Sequence, residues 1–358
     1  MSIYFFKIIY ILRLYHVTSG ALAMEYRHKV MRGTVGVIIN KAIRDIRSDP
    51  KRSIRNLADL GDNFSTSETQ KRFFSIARGV LKNPDNPYNK LIVDMIENVT
   101  PESVRTMSLN FGYTALIYGA NTIRQREAAL GRYIPWLLVF DFSTAQGAAL
   151  GIERASALIA QAVSLGIYTF VFQINFYGEA LESLLKLCAS YPECAFFAAV
   201  SAGVLLGPMQ KQVMKTPNLV ILVDAADSAA EETRDRAFHV LRCARCFYGF
   251  YAYYTEESVQ WLMSDEFTQK MIQNGCLIGG YVNADPSAEN LENQVYRFVC
   301  AKRGRKGAPL FALDFYRDIS YIGNAISSGE FLRVGNDGRL LDSPISVNGE
   351  ILPELIKI

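Results

Sequence analysis

From Met24 to about residue 133, apolar residues recur at three- and four-residue spacing, the period of an amphipathic helix. "GTVGVIINKAIRDI" shows this pattern, "DPKRSIRNLADLGDNF" restarts it after a proline break, and "SETQKRFFSIARGVL" opens at a Ser/Thr cap. "NPDNP" (83–87) reads as a turn. "LIVDMIENVTPESVRTMSLNFGYTALIYGANTIRQREAAL" predicts two or three further helices.

At Ile134 the pattern changes to short, nearly continuous apolar runs separated by helical stretches. The predicted strands are "IPWLLVFD" (134–141), "IYTFVFQI" (167–174), "CAFFAAV" (194–200), "NLVILVDAA" (218–226), "CFYGFYAYY" (246–254) and "CLIGGYV" (276–282). Six such strands with intervening helices predict an α/β fold with a covered parallel sheet, either a barrel or a doubly wound sheet. A basic connection, "AKRGRKG" (301–307), leads to "PLFALDFYRDISYIGNAI" (309–326). A hairpin-like stretch, "EFLRVGNDGRLLDS" (330–343), then brackets Asn336-Asp337-Gly338. The expected divisions are an apolar extension 1–23, a helical region 24–133, a barrel 134–300 and a C-terminal segment 301–358.

Composition narrows the function. The 358 residues are 50% hydrophobic and 20% charged, with a net charge of +3, so the chain can bury a large core. That balance carries no signal for nucleic-acid binding, and the basic runs 43–56 and 301–307 read as solvated surface. The six cysteines lack a disulfide-scaffold pattern, which points to a reducing cytoplasm. The apolar stretch "IYFFKIIYILRLYHV" (3–17) is broken by Lys7, Arg13 and His16 and falls short of the ~20 residues that span a bilayer. Membrane contact through 3–17 is the less favoured reading, and Met24 is an alternative start.

Ligands in α/β folds gather at the C-terminal ends of parallel strands. The first such loop, "DFSTAQGAALGIERA" (141–155), holds no Cys, His or Lys; its ionisable groups are Asp141, Glu153 and Arg154. Polar residues at the strand ends are Asp141, Asn175, Tyr177, Ser201, Asp224, Tyr254 and Asp314, the candidate lining of a ligand pocket. They form no recognisable triad, and His239 falls within a connecting helix. Cys243-Ala-Arg-Cys246 is the only close cysteine pair, half of a metal site at best, so no metal is expected.

The blocks "IPWLLVFD", "GIYTFVF", "LLKLCASYPECAFFA", "YYT", "SDEF", "LDFYRD" and "FLRVGNDG", in that order from about residue 40 to 345, resemble radical S-adenosylmethionine (radical SAM) proteins. The similar members carry an N-terminal helical region and a C-terminal segment that can hold an auxiliary iron–sulfur cluster. The resemblance implies a partial (β/α)6 barrel. It also implies a [4Fe–4S] cluster on a C-x3-C-x2-C loop after the first strand, and this chain departs from that requirement. Gln146 stands where the first cysteine is expected. Asn175, Phe176 and Tyr177 replace the glycine-rich SAM-binding turn, and Ala325 and Ser343 stand at auxiliary-cluster positions.

The resulting expectation is a degenerate member with no catalytic residues and no cofactor. It would serve as a binding or scaffold subunit for an active radical SAM enzyme in a biosynthetic or maturation pathway. The alternative is a cluster-free enzyme or small-ligand binder using the vacated barrel cavity. Binding of SAM without cleavage is disfavoured by the bulk of Phe176-Tyr177.

Overall fold

The computed structural model describes residues 21–63, 68–83, 85–142, 148–175, 178–207, 210–226, 231–284, 288–303, 307–327, 331–335 and 340–341. The first part is helical: α1 (Ala21–Ser48), α2 (Pro50–Asn63), α3 (Glu68–Leu81), α4 (Pro87–Asn98), α5 (Pro101–Met107), a π-helix (Ser108–Gly119) and α6 (Ala120–Leu130). The start signals have a direct cause. Asn86 and Thr100 cap α4 and α5 by accepting bonds from the Tyr88 and Ser103 backbone N–H groups, and proline fills the next position of each helix.

Nine strands follow among the described residues: β1 (Leu137–Asp141), β2 (Thr169–Asn175), β3 (Ala195–Val200), β4 (Leu219–Asp224), β5 (Tyr248–Tyr254), β6 (Ile278–Asn283), β7 (Phe311–Asp314), β8 (Leu332–Gly335) and β9 (Leu340–Leu341). The longer helices among them are α7 (Ala148–Leu165), α8 (Gly178–Ser190), α9 (Glu231–Cys243), α10 (Asp265–Gln273), α11 (Glu289–Lys302) and α12 (Phe315–Ile326). All nine strands form one sheet in the order β7-β6-β5-β4-β3-β2-β1-β8-β9, and only the β8–β9 pair is antiparallel. From β1 to β7 the order never reverses. Right-handed crossovers therefore put every connecting helix on the same face, which curls the sheet and decides between the two candidate topologies. The protein is an α/β partial barrel.

The helix-facing side carries the large aromatic residues. Phe140 stacks on Phe172 at 4.6 Å, Phe170 on Phe196 at 5.6 Å, and Phe250 meets Phe267 of α10 edge-on at 5.2 Å. The sheet reaches beyond the six strands read from the sequence, because the C-terminal segment supplies β7 against β6 and β8 against β1. "FALD" is too short to stand out as an apolar run, and β8 shows itself only through its pairing with β1. The hairpin expectation corresponds to β8 and β9; residues 336–339 lie outside the described residues.

No pairing joins β7 to β8, and α12 fills the seam between them. Phe315 at its start approaches Gly280 of β6. The Gln173 side-chain amide of β2 donates to the Tyr316 hydroxyl at 3.4 Å, and the Arg333 guanidinium of β8 sits 5.4 Å from the Tyr316 ring. At the other end, the Trp136 indole donates to the Ile319 carbonyl at 3.0 Å, and the Ser327 hydroxyl donates to the Ile134 carbonyl at 3.1 Å.

The helical region packs at the N-terminal ends of the strands. The His28 ring stacks on Tyr118 at 3.8 Å and contacts the Glu193 carboxylate at 3.3 Å, just before β3. The Asn110 amide donates to the Pro192 and Cys194 carbonyls at 2.9 and 2.7 Å. Where the π-helix ends, the backbones of Gly119 and Gly166 approach so closely that a Cβ on Gly119 would lie 2.4 Å from the Gly166 carbonyl oxygen. Gly166 itself has φ +103°, a conformation that side chains oppose.

Arg245 is the only described non-glycine residue with positive φ, at 53°. It ends α9: the Cys246 N–H bonds to the Leu241 carbonyl and the Arg245 N–H to the Arg242 carbonyl, both at 3.0 Å. This is a Schellman arrangement, whose left-handed position glycine normally occupies. Arginine offsets the strain by donating to the Glu97 and Val99 carbonyls at 2.8 and 3.2 Å, which ties the barrel to α4. No helix among the described residues is long and apolar enough to cross a membrane.

Candidate functional site

Strand register determines which residues share the concave face. Asp141 pairs with Gln173, and Val139 with Arg333, so Asp141, Gln173 and Arg333 lie on one side. Asp224 pairs with Tyr251, and Tyr253 follows on the same face two residues later. Together with Tyr316 of α12, these seven residues build a polar cluster in the barrel interior, toward the C-terminal ends of the strands.

The cluster holds two carboxylates and one guanidinium. Arg333 donates to the Asp141 carboxylate at 2.5 Å, with side-chain exposures of 19% and 11%, so both charges are largely withdrawn from water and depend on each other. The Tyr251 hydroxyl donates to the Asp224 carboxylate at 3.4 Å, and the Ala226 N–H donates to it at 3.0 Å. Tyr253 sits among them, 5.7 Å from the Tyr251 ring and within electrostatic range of Tyr316, Asp141, Arg333 and Asp224.

Burial, reinforced by the Asp224 charge, pushes the Tyr251 hydroxyl far above its ordinary range. Burial also raises Tyr253 and Tyr316. Burial opposes the Arg333 charge, but Tyr316 and Asp141 outweigh it and hold the guanidinium firmly protonated. The phenols are thus hydrogen-bond donors rather than bases. Two polar atoms of the cluster, Gln173 Oε1 and Arg333 Nε, are buried without a hydrogen-bond partner.

The residues chosen from strand-end position divide into groups. Asp141 and Asp224 join this cluster. Tyr254 and Asp314 do not: Tyr254 falls on the helix-facing side, and Asp314 caps α12 by accepting from the Arg317 N–H at 3.4 Å. Both are almost fully buried, at 0% and 2% exposure, and Tyr254 Oη and Asp314 Oδ2 have no hydrogen-bond partner. Burial, with help from Glu292 and Asp318, raises the Asp314 carboxyl to about 7. Ser201 is half-buried between β3 and the single-turn helix Ala202–Leu205, without a side-chain capping bond. Tyr177, Phe176, Gln146 and Ser343, and the side chain of Asn175, lie outside the described residues. Ala325 is exposed in the last turn of α12.

Gln173, Tyr251, Tyr253, Tyr316 and Arg333 are the residues that strand-end reasoning passes over. Alternation in "YGFYAYY" carries the signal for two of them, and Arg333, the one charge in its short strand, carries another.

The cysteines have a consistent placement. Cys194, Cys246 and Cys276 come just before β3, β5 and β6, while Cys188, Cys243 and Cys300 lie in the last turns of α8, α9 and α11. Connecting helices run back along the strands, so all six thiols lie toward the N-terminal end of the barrel, away from the strand ends that face the Asp141 loop. No group of three or more His, Cys, Asp or Glu side chains among the described residues is placed to hold a metal ion. The donor set at the C-terminal mouth, of carboxylates, phenols and an amide, does not suit an iron–sulfur cluster.

No protein-family model matches the chain, and no curated protein matches it. Among solved structures it is similar to SuiB of Streptococcus suis. The SuiB structure bound to S-adenosylmethionine aligns over 61% of this chain and 63% of that one, at 12% identity and a TM-score of 0.43. The structure bound to the precursor peptide SuiA aligns over 61% and 62%, at 10% identity and a TM-score of 0.42. A further SuiB structure aligns over 78% and 76%, at 10% identity and a TM-score of 0.45. In the first two alignments this chain spans less than two thirds of the matched protein.

Proposed function

We propose that this chain is a radical SAM-like barrel that has given up cluster chemistry and serves as a binding or scaffold subunit, its partner an active radical SAM enzyme. The observation that carries the reading is the placement of the thiols. The loop after β1 has no cysteine, and every cysteine of the chain lies toward the other end of the barrel. A [4Fe–4S] cluster needs soft anionic ligands at the mouth, and the chain offers none there. The outer edge of β9, unpaired among the described residues, supplies a physical reason for a protein partner, because exposed edges call for cover.

Iron and sulfide analysis after anaerobic purification and reconstitution tests the first half of the proposal; the expected result is no stoichiometric cluster, and four irons per chain would overturn it. Affinity purification from the source cell tests the second half. The expected result is a stoichiometric radical SAM protein that loses activity without this chain, and recovery of this chain alone would count against the partner.

A second reading, a cluster-free ligand site inside the barrel, is favoured by the unpartnered Gln173 Oε1 and Arg333 Nε. The ligand would be small and polar, carrying both a hydrogen-bond donor and an acceptor. Thermal-shift screening of wild type against Gln173→Leu tests it, since binding has to weaken in the variant.

A further inference from the structure

Cys243 and Cys246 are close in sequence, and the structure gives them different surroundings. Cys246 is buried beyond the left-handed turn at Arg245, and burial raises its thiol to about 11. Cys243 is exposed on the last turn of α9, and its neighbour is the exposed His239 ring one turn earlier. The two donors, Cys243 Sγ and His239 Nε2, are 3.5 Å apart.

The geometry points to a chelating site for a borderline or soft divalent metal ion at His239 and Cys243. With Zn–S near 2.3 Å and Zn–N near 2.0–2.1 Å, tetrahedral angles put the two donor atoms about 3.5 Å apart. The spacing of the pair therefore matches that of two ligands of one ion. Positions four residues apart lie on one face of a helix, and α9 holds them rigidly. His239 also lines a groove of about 740 Å³ together with Glu231, Glu232, Asp235 and Arg236. Glu231 and Asp235 are already paired with Lys270, so the groove gives the imidazole an open approach, and the selectivity of the site rests on its sulfur and nitrogen donors.

Binding displaces the thiol proton to solvent, forms one metal–sulfur and one metal–nitrogen bond, and leaves the other positions to water. No electron is transferred. The site lies at the opposite end of the barrel from the polar interior cluster. It neither depends on that cluster nor supplies the thiols a catalytic iron–sulfur centre would need.

The test is titration of the full chain with Co²⁺, following the thiolate-to-cobalt charge-transfer band. The expected result is a saturable band in wild type that Cys243→Ser abolishes and Cys246→Ser leaves intact. His239→Ala should weaken binding by about 10²-fold, because it removes the second arm of the chelate. Absence of a band in wild type overturns the proposal, as does a band that survives Cys243→Ser. A band indifferent to His239→Ala also overturns it, since the thiol would then be acting alone. A measurement on wild type needs no variant: saturating Zn²⁺ should slow alkylation of Cys243 while leaving the exposed Cys300 unprotected, and equal rates at Cys243 with and without Zn²⁺ refute the site.

Discussion

Asp314 makes the stability of this protein depend on pH in a direction opposite to most carboxylates. Its folded pKa of about 7 stands against 3.8 for an ordinary aspartate. Burial is the main cause, because the side chain is 2% exposed and Oδ2 has no partner. Below pH 3.8 the group is protonated folded or unfolded and contributes nothing. Between 3.8 and about 7 only the folded state holds the proton, so stability falls as pH rises, and the loss levels off above 7. Integrating that difference from pH 5 to pH 8 gives about 2.5 kcal/mol.

Asp314→Asn keeps the cap on α12, since asparagine is equally good there, and removes the titration. Urea unfolding followed by circular dichroism at pH 5, 6.5 and 8 compares the two proteins, and their difference cancels the other titrating groups. The variant should gain on wild type by about 2.5 kcal/mol across that range. A gap independent of pH would show that Asp314 is not desolvated in the folded state, and the reasoning would fail.

Other perturbations test other parts of the structure. Arg333→Met takes the guanidinium away from the largely buried Asp141 carboxylate, so chemical denaturation should show a loss of about 3 kcal/mol, partly recovered in the double variant with Asp141→Asn. A loss below about 1 kcal/mol would mean that water reaches the pair. Arg245→Ala gives up two hydrogen bonds to α4 and keeps the strained turn, whereas Arg245→Gly relieves the strain by about 1 kcal/mol. Melting temperatures should therefore rank wild type above Arg245→Gly and Arg245→Ala lowest; the reverse order of the two variants contradicts the strain assignment. Tyr254→Phe deletes a fully buried hydroxyl without a partner, so its stability should match or exceed that of wild type, and a clear drop would reveal a hidden partner.

How far the sequence could be read depended on whether one strand alone carried the signal. β1 to β6 were legible because each is a continuous apolar run, and the helical periodicity before Ile134 was equally plain. β7 and β8 were not, since a four-residue strand is recognised by what it pairs with. The site followed the same rule. Asp141 and Asp224, acids at strand ends, lie in the interior cluster, whereas Tyr254, another strand-end candidate, faces the helices. Its neighbour Tyr253, one residue earlier, faces the interior, and a single step along a strand reverses the face. Tyr316 could not be anticipated at all, because nothing local indicates that α12 will settle in a seam of the sheet.

That seam has a consequence for how the protein is made. β1 forms early in the chain, yet its second neighbour, β8, lies nearly two hundred residues later, with Leu138 paired to Leu332. During synthesis the strands from β1 to β7 can assemble in order, each against the one before. Until β8 and α12 emerge, β1 keeps one side bare and the interior cluster lacks both Arg333 and Tyr316. Such late, long-range pairing is slow and leaves nascent chains prone to association through the waiting edge. The stretch from α12 to β9 therefore acts as the closing step of folding, and a ribosome stalled short of it would hold a protein with its barrel complete on one side and sticky on the other.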